Sequence, residues 1–192
     1  SSTKARVVVR EMAESMALDL LDKGMVTDQL VLTIGYDMVN LTDPRIRSGY
    51  KGETTTDHYG RLIPKYSHGS INLDGATSSA RLITERAARL FDQIVKPNLL
   101  VRRLNLTTNH VVSEQEIAHP TEPVQYDLFT DYDAEERKKG EEKKLLDKER
   151  RVQGAVLKIK KQFGKNAILK GLNFEEGATA KERNEQIGGH KA

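Results

Sequence analysis

Apolar residues recur at helical spacing in two segments of the chain. The first stripe, in residues 3–23, consists of Val9, Met12, Met16 and Leu20. The second, which ends near residue 95, consists of Ala80, Ile83, Ala87, Leu90, Phe91 and Ile94. Steps of three and four residues predict two amphipathic helices, each of which buries one side. Either Thr77 or Ser78 is expected to cap the second helix, because a hydroxyl oxygen there can accept a free backbone N–H.

Apolar and polar residues alternate in three other segments. Residues 28–39, 65–74 and 99–112 show this period of two, which predicts β-strands. Residues 41–64 are rich in Gly, Thr and Asp and predict an irregular excursion with a minor hairpin around residues 57–60. The order helix, strand, strand, helix, strand predicts an α+β fold: an antiparallel sheet with two helices packed on one face.

The other face of that sheet is predicted to be polar. Its residues are Thr33, Gly35, His68, Ser70, Asn72, Arg103, Asn105 and Thr107. These groups are small or hydrogen-bonding, and such a face can approach a sugar-phosphate backbone. An ordinary solvated sheet face is the alternative.

The second half of the chain has a different pattern. Residues 134–163 predict a long charged helix, although Gly140 and Gly154 weaken it. Its apolar stripe, which could pack on the domain or pair between chains, is Leu145, Val152, Val156, Ile159 and Phe163. The polar ending, residues 178–192, is expected to be disordered. The predicted divisions are a domain at 1–112, a linker at 113–133, the helix at 134–164 and a tail at 165–192.

Charge and composition narrow the classes of function. The 192-residue chain has a net charge of +3 and no cysteine, which excludes disulfides and thiolate metal sites. The seven basic and no acidic residues of 150–170 would attract phosphates, unless they form a solvated helix face. No apolar run has membrane-spanning length, and a cytoplasmic location is expected. The histidine spacing does not predict a zinc site.

The linker contains an unusual apolar pair. Leu128 and Phe129 lie between polar residues where no strand or helix period could bury them. Such side chains are suited to fill a groove on a partner, or they fold back onto the domain's own core. The segment resembles the Gln-x-x-Leu-Phe motif by which replication and repair proteins dock on the bacterial sliding clamp. The predicted clamp-binding residues are Gln125, Tyr126, Asp127, Leu128 and Phe129.

Several runs resemble one protein family. These runs are Ser67–Asn72, Ala76–Ser79 and Val101–Leu106, together with the ending Glu182–Ala192. They are similar to the little-finger domain and tail of Y-family translesion DNA polymerases of the UmuC-like (ImpB/MucB/SamB) branch. The resemblance implies a DNA-binding and clamp-docking region of an error-prone polymerase that acts in DNA repair and the SOS response.

The resemblance also implies roles for individual residues. Arg102 and Arg103 correspond to a phosphate-contacting arginine pair, and residues 65–70 to a neighbouring strand that approaches DNA. Thr107 stands where relatives often carry a basic residue, so a charged contact is not expected there. The implied DNA-binding residues are Arg102, Arg103, Asn105, Thr107, Lys65, His68 and Ser70.

The resemblance sets expectations for catalysis and partners. The family's catalytic carboxylates and their magnesium belong to a palm that this sequence does not contain, so we expect no catalysis and no cofactor here. The expected partners are primer-template DNA, the sliding clamp and other SOS proteins. The family domain begins with a strand ahead of the first helix, and we expect residues 167–169 or a second copy of the chain to fill that place. The alternative function is a protein–protein adaptor or dimerisation module without DNA affinity.

Overall fold

The computed structural model describes residues 2–117, 132–187 and 190–191. The helices among them are α1 Ser2–Asp22, α2 Val39–Thr42, α3 Pro44–Arg47, α4 Ala80–Ile94, α5 Glu114–Ile117, α6 Tyr132–Phe163 and α7 Ala180–Asn184, with a 3₁₀ turn at Gly171–Phe174. The strands are β1 Met25–Tyr36, β2 Thr54–Thr56, β3 Leu62–Pro64, β4 Ser67–Thr77, β5 Val101–Asn109, β6 Val112–Ser113, β7 Gln186–Ile187 and β8 His190–Lys191.

The main sheet is antiparallel, with β1 between β4 and β5. The short strand β6 pairs with the first residues of β1. Helices α1 and α4 both pack on one face of this sheet, which confirms the predicted α+β fold. The alternation in β1 predicts the covered face correctly, because Leu30, Leu32 and Ile34 are fully buried there. Val9 and Leu20 of α1 and Ile83 and Phe91 of α4 supply the helical side of the core.

The excursion after β1 contains the predicted hairpin. Strands β2 and β3 pair with each other, and their turn is held by Asp57, whose carboxylate accepts the backbone N–H groups of Tyr59 and Arg61 at 2.9 Å. Gly60 takes φ of +73°, a left-handed conformation that glycine adopts without strain.

The cap of α4 differs from the predicted one. Ser79, not Thr77 or Ser78, is the N-cap, and its Oγ accepts the N–H of Leu82 at 3.2 Å. Strand β4 extends through Thr77, which delays the start of the helix. Thr77 instead accepts the N–H of Ser79 through its Oγ1 at 3.0 Å.

Helix α6 is continuous through both glycines and packs on the domain through only part of its predicted stripe, since half-buried Val156 lines a small cavity with Leu18 of α1. Leu145 and Val152 are 50% and 56% exposed, so the alternative in which the stripe packs on the domain does not hold for them. Two polar residues of α6 contact the N-terminus of α4. Glu149 accepts the Ser79 hydroxyl at 2.7 Å and the N–H of Arg81 at 2.8 Å, so that it caps α4 from outside. Buried Gln153 accepts the N–H of Ala80 at 3.3 Å.

The expectation of disorder is wrong for the described part of the C-terminal tail, because the segment is anchored on α1 by a buried carboxylate. Glu11 has no exposed side-chain surface. It accepts the N–H groups of Thr179 and Ala180 at 2.9 Å and the amide of Asn173 at 2.9 Å. Arg183 adds an ion pair at 3.3 Å. A buried carboxylate must be satisfied in this way, and the tail supplies all the donors named here.

Residues 167–169 do not fill the place of a further strand, contrary to one predicted alternative. Ile168 lines a small cavity with Leu18 and Val156, and Leu169 lines another between α1 and α6. Both therefore find apolar cover on the helical side of the molecule. Among the described strands none pairs with the outer edge of β5. No helix in the described ranges is long and apolar enough to cross a bilayer.

Candidate nucleic-acid interface

The face of the sheet that the helices leave open is built from cross-strand rows. The strand registers align Asn72, Gln29 and Asn109; Ser70, Val31 and Thr107; His68, Thr33 and Asn105; and, at the end of the sheet, Gly35 and Arg103. The members from β4 and β5 are exposed, and those from β1 are half-buried between them. None of these residues is a carboxylate, so nothing in the rows would repel a phosphate.

Side-chain hydrogen bonds join neighbouring strands within two of the rows. The Gln29 amide donates to Asn72 Oδ1 at 2.8 Å and accepts from Asn109 Nδ2 at 2.8 Å, which forms an amide ladder across the three strands. Thr33 Oγ1 lies 2.9 Å from Nδ1 of His68. These contacts fix the side-chain orientations, so fewer rotamers remain to be ordered when a ligand binds.

Arg103 supplies the formal positive charge of the face. It is exposed, and within the described part of the chain its guanidinium has no ion-pair partner. Gly35 lies opposite, where a Cβ would come 3.3 Å from Cβ of Arg103. The absence of a side chain at Gly35 leaves the approach to Arg103 open.

Arg102 occupies a β-bulge. Gly35 pairs with Arg103 but Tyr36 pairs with Val101, so Arg102 is the extra residue of β5. It lies near the start of β5, and its Nη1 donates to Asp37 Oδ2 at 3.0 Å. The Val39 N–H, with Arg102 as a further contributor, holds the pKa of Asp37 below its usual value although partial burial opposes this. Arg102 is therefore already paired when DNA is absent.

A buried amide positions the bulge. Asn40 is fully buried, and its Oδ1 accepts the N–H of Leu100 at 2.7 Å. Its Nδ2 donates to the carbonyls of Leu100 at 3.0 Å and Asp37 at 2.8 Å. The Asn40 side chain holds Leu100, the residue just before β5, against the end of β1. It thereby fixes the positions of Arg102 and Arg103 at the start of β5.

Lys65 lies outside the rows. It precedes β4 and donates to Glu53 at 2.5 Å, and this hydrogen bond raises the pKa of Lys65 above its usual value. Like Arg102, it must share or exchange its carboxylate partner to reach a phosphate.

The structure thus divides the predicted DNA-binding residues. Arg103, Asn105, Thr107, His68 and Ser70 share the open face, whereas Arg102 and Lys65 are held by carboxylates at its end. Sequence reasoning did not select Gln29 and Asn109, which complete the amide ladder. The alternation of buried and exposed residues in β1 and β5 is consistent with their position on this face. Their contact, however, depends on how β1 and β5 are aligned, and the local sequence does not show that alignment.

The basic block of residues 150–170 lies on the helical side. Arg150 pairs with Glu114, Lys161 with Asp22, and Lys170 with Glu14 at 2.8 Å. This part of the block is neutralised by the domain's own carboxylates and faces away from the open sheet.

The predicted clamp-binding residues, Gln125–Phe129, lie outside the described residues. In the part of the chain that the structure describes, no group of three histidine, aspartate or glutamate side chains could hold a metal ion.

The family profile of the impB/mucB/samB family C-terminal domain matches residues 1–128, which is two thirds of the 192-residue chain. None of the curated proteins matches the chain. The profile covers α1, α4 and the whole main sheet, and therefore all the strands that build the open face. The chain therefore belongs to the impB/mucB/samB family, as a C-terminal region associated with Y-family translesion DNA polymerases.

Proposed function

We propose that this region holds primer-template DNA through its open sheet face and tethers its polymerase to the sliding clamp. The observation that carries the DNA-binding part is the set of carboxylate-free polar rows, which end at Arg103. Amide, hydroxyl and imidazole groups contact phosphate and sugar oxygens without reading bases. Binding is therefore expected to be insensitive to DNA sequence.

The positive charges at the end of the open face support weak electrostatic binding to DNA phosphates. Arg103 is free in the described structure, and Arg102 and Lys65 become available when they exchange Asp37 and Glu53 for phosphates. Three neutralised phosphates give a salt slope, d log K/d log[salt], of about −2.7 on double-stranded DNA. The neutral rows add hydrogen bonds whose contribution changes little with salt.

Titration of a fluorescent primer-template at several salt concentrations tests the DNA-binding part. Arg103→Ala should weaken binding equally for all sequences and flatten the salt slope by about 1. Arg47→Ala is the matched control, because Arg47 is an exposed arginine of α3 that belongs to none of the rows. Unchanged affinity and slope in Arg103→Ala would assign DNA to another surface.

The clamp-docking part rests on the Gln-x-x-Leu-Phe pattern of residues 125–129. Replacing Leu128 and Phe129 by alanine together should abolish capture by a bacterial sliding clamp and leave the thermal unfolding of the domain unchanged. A variant with Thr121→Ala and Thr130→Ala is the matched control. Capture that survives loss of both apolar side chains contradicts the motif.

A further inference from the structure

A groove of about 1030 Å³ lies on the helical side of the molecule, bordered by α1, α4 and α6. Buried Ala80 and Ala88 form part of its floor, and Leu145 and Val152 of α6 form one wall. The open sheet face is on the opposite side of α1 and α4. A ligand in the groove and DNA on the sheet could therefore be bound at the same time.

The apolar wall has the spacing of a helix-binding surface. Leu145 and Val152 are seven residues apart, which places them on one side of α6 about 10 Å from each other. Both are half exposed, and Ile159 continues the same line seven residues further on. A partner helix with apolar side chains one heptad apart would cover both wall residues.

The unpaired charges of the groove are mainly positive. Among its carboxylates, Asp92 forms an ion pair with Arg6 and Glu14 forms one with Lys170. Glu149 accepts hydrogen bonds at the N-terminus of α4. Four charged lining side chains remain without a partner in the described structure. Three are cations, Arg81, Arg89 and Lys148, and one is an anion, Glu85. Thr84 also lines the groove, and among the described residues its buried Oγ1 has no hydrogen-bond partner.

We propose that this groove docks an acidic amphipathic helix of a partner protein. Cations beside an apolar wall complement glutamate or aspartate beside leucine-like anchors. A second copy of the chain fits less well, because a symmetric contact would bring Arg81, Arg89 and Lys148 near their own copies. DNA fits less well because phosphate contacts leave an apolar wall uncovered.

The test uses the full chain and a fluorescein-labelled two-heptad peptide with leucine on one face and glutamate on the other. The chain should bind it saturably in fluorescence anisotropy, and a peptide with lysine in place of glutamate should not bind. The double variant Leu145→Glu, Val152→Glu should raise the Kd at least about tenfold. The control Leu62→Glu changes a side chain that is also 50% exposed but lies in the hairpin, and it should leave the Kd unchanged.

A second variant separates charge from apolar contact. Arg89→Ala with Lys148→Ala should raise the Kd several-fold, whereas Arg47→Ala with Lys51→Ala should not. Arg103→Ala, which tests the sheet, should leave peptide binding intact, so failure of one proposal is distinguishable from failure of the other.

Three results would overturn the proposal. The first is the absence of saturable binding at peptide concentrations up to about 1 mM, a limit that corresponds to a binding free energy of only about −4 kcal/mol. The second is displacement of the peptide by a short DNA duplex, which would assign the groove to nucleic acid. The third is a dimer in sedimentation that Leu145→Glu with Val152→Glu dissociates, which would identify the occupant as a second copy.

Discussion

Leu32 in β1 lies beneath α1 and α4 with no exposed surface, whereas its neighbours Val31 and Thr33 remain partly open to solvent. The same contrast runs along β5, where Leu106 is buried and Thr107 is exposed. One set of three strands thus has an aliphatic face that holds the domain together and a polar face that is free to bind. Because the two sets of side chains alternate along each strand, substitutions at two adjacent residues change opposite faces of the sheet.

The largest expected effect comes from placing a charge on each face in turn. Leu106→Asp puts a carboxylate against the core and should destabilise the domain by about 4 kcal/mol or more. Thr107→Asp, one residue along, should leave the urea midpoint nearly unchanged but weaken primer-template binding, because it places a negative charge beside phosphates. Equal destabilisation by both variants would show that Thr107 is buried like Leu106 and that this face of the sheet is not exposed to solvent.

The next prediction concerns the tail on the helical side. Glu11→Ala removes a buried partner of Arg183 and of the tail's N–H groups, which typically costs about 3–5 kcal/mol. The tail should leave α1, and hydrogen exchange at Thr179 and Ala180 should rise about 100-fold or more. Glu14→Ala is the control, since Glu14 makes a more exposed ion pair with Lys170. DNA affinity should be the same in both variants.

Asn40→Ala tests how the end of the open face is positioned. The substitution leaves the N–H of Leu100 without its partner, whereas the C=O of Leu100 keeps the N–H of Asp37 at 2.9 Å. We expect a loss of about 1–3 kcal/mol in urea unfolding. Primer-template affinity should fall as well, because the start of β5 carries Arg102 and Arg103. Asn72→Ala, on the exposed rim of the sheet, is the control for stability. An unchanged DNA affinity in Asn40→Ala would show that the position of the bulge at Arg102 does not affect DNA binding.

Asp37→Asn should act in the opposite direction. Asparagine can still accept the N–H of Val39, but it no longer neutralises Arg102. The variant should bind primer-template about two- to fivefold more tightly, with a salt slope steeper by up to about 1. Fluorescence titration at matched salt measures both quantities. Weaker binding would mean that Asp37 orients Arg102 for phosphate.

The smallest expected effect is a pH dependence at the same contact. The Val39 N–H and Arg102 keep the pKa of folded Asp37 below its unfolded value. The contact therefore contributes stability above the ordinary carboxyl pKa, and that contribution is lost as pH falls through the folded pKa. Arg102→Ala should raise the pKa of Asp37 in a carboxyl NMR titration, whereas Arg45→Ala should not.

Local periodicity predicted most of the fold. Period-two alternation placed Leu32 and Thr33 on opposite faces, and the helical stripe placed Val9 and Phe91 in the core. These assignments depend only on neighbours in sequence, which is why they could be read directly.

Features that depend on distant partners could not be read in the same way. Glu11 is buried because donors more than 160 residues away surround it. Helix α6 docks through Glu149 and Gln153 because the N-terminus of α4 offers N–H groups there. The bulge at Arg102 arises from pairing between β1 and β5, and no local pattern marks it.

The most direct test of the account is chemical-shift mapping of the isotope-labelled chain during titration with primer-template DNA. We expect the amide signals that shift to cluster on the open rows, from His68 to Asn72 in β4 and from Arg103 to Thr107 in β5. Signals from α1, α4 and α6 should stay in place. Shifts confined to those helices, with the rows of the sheet unchanged, would contradict the assignment of DNA to the open face.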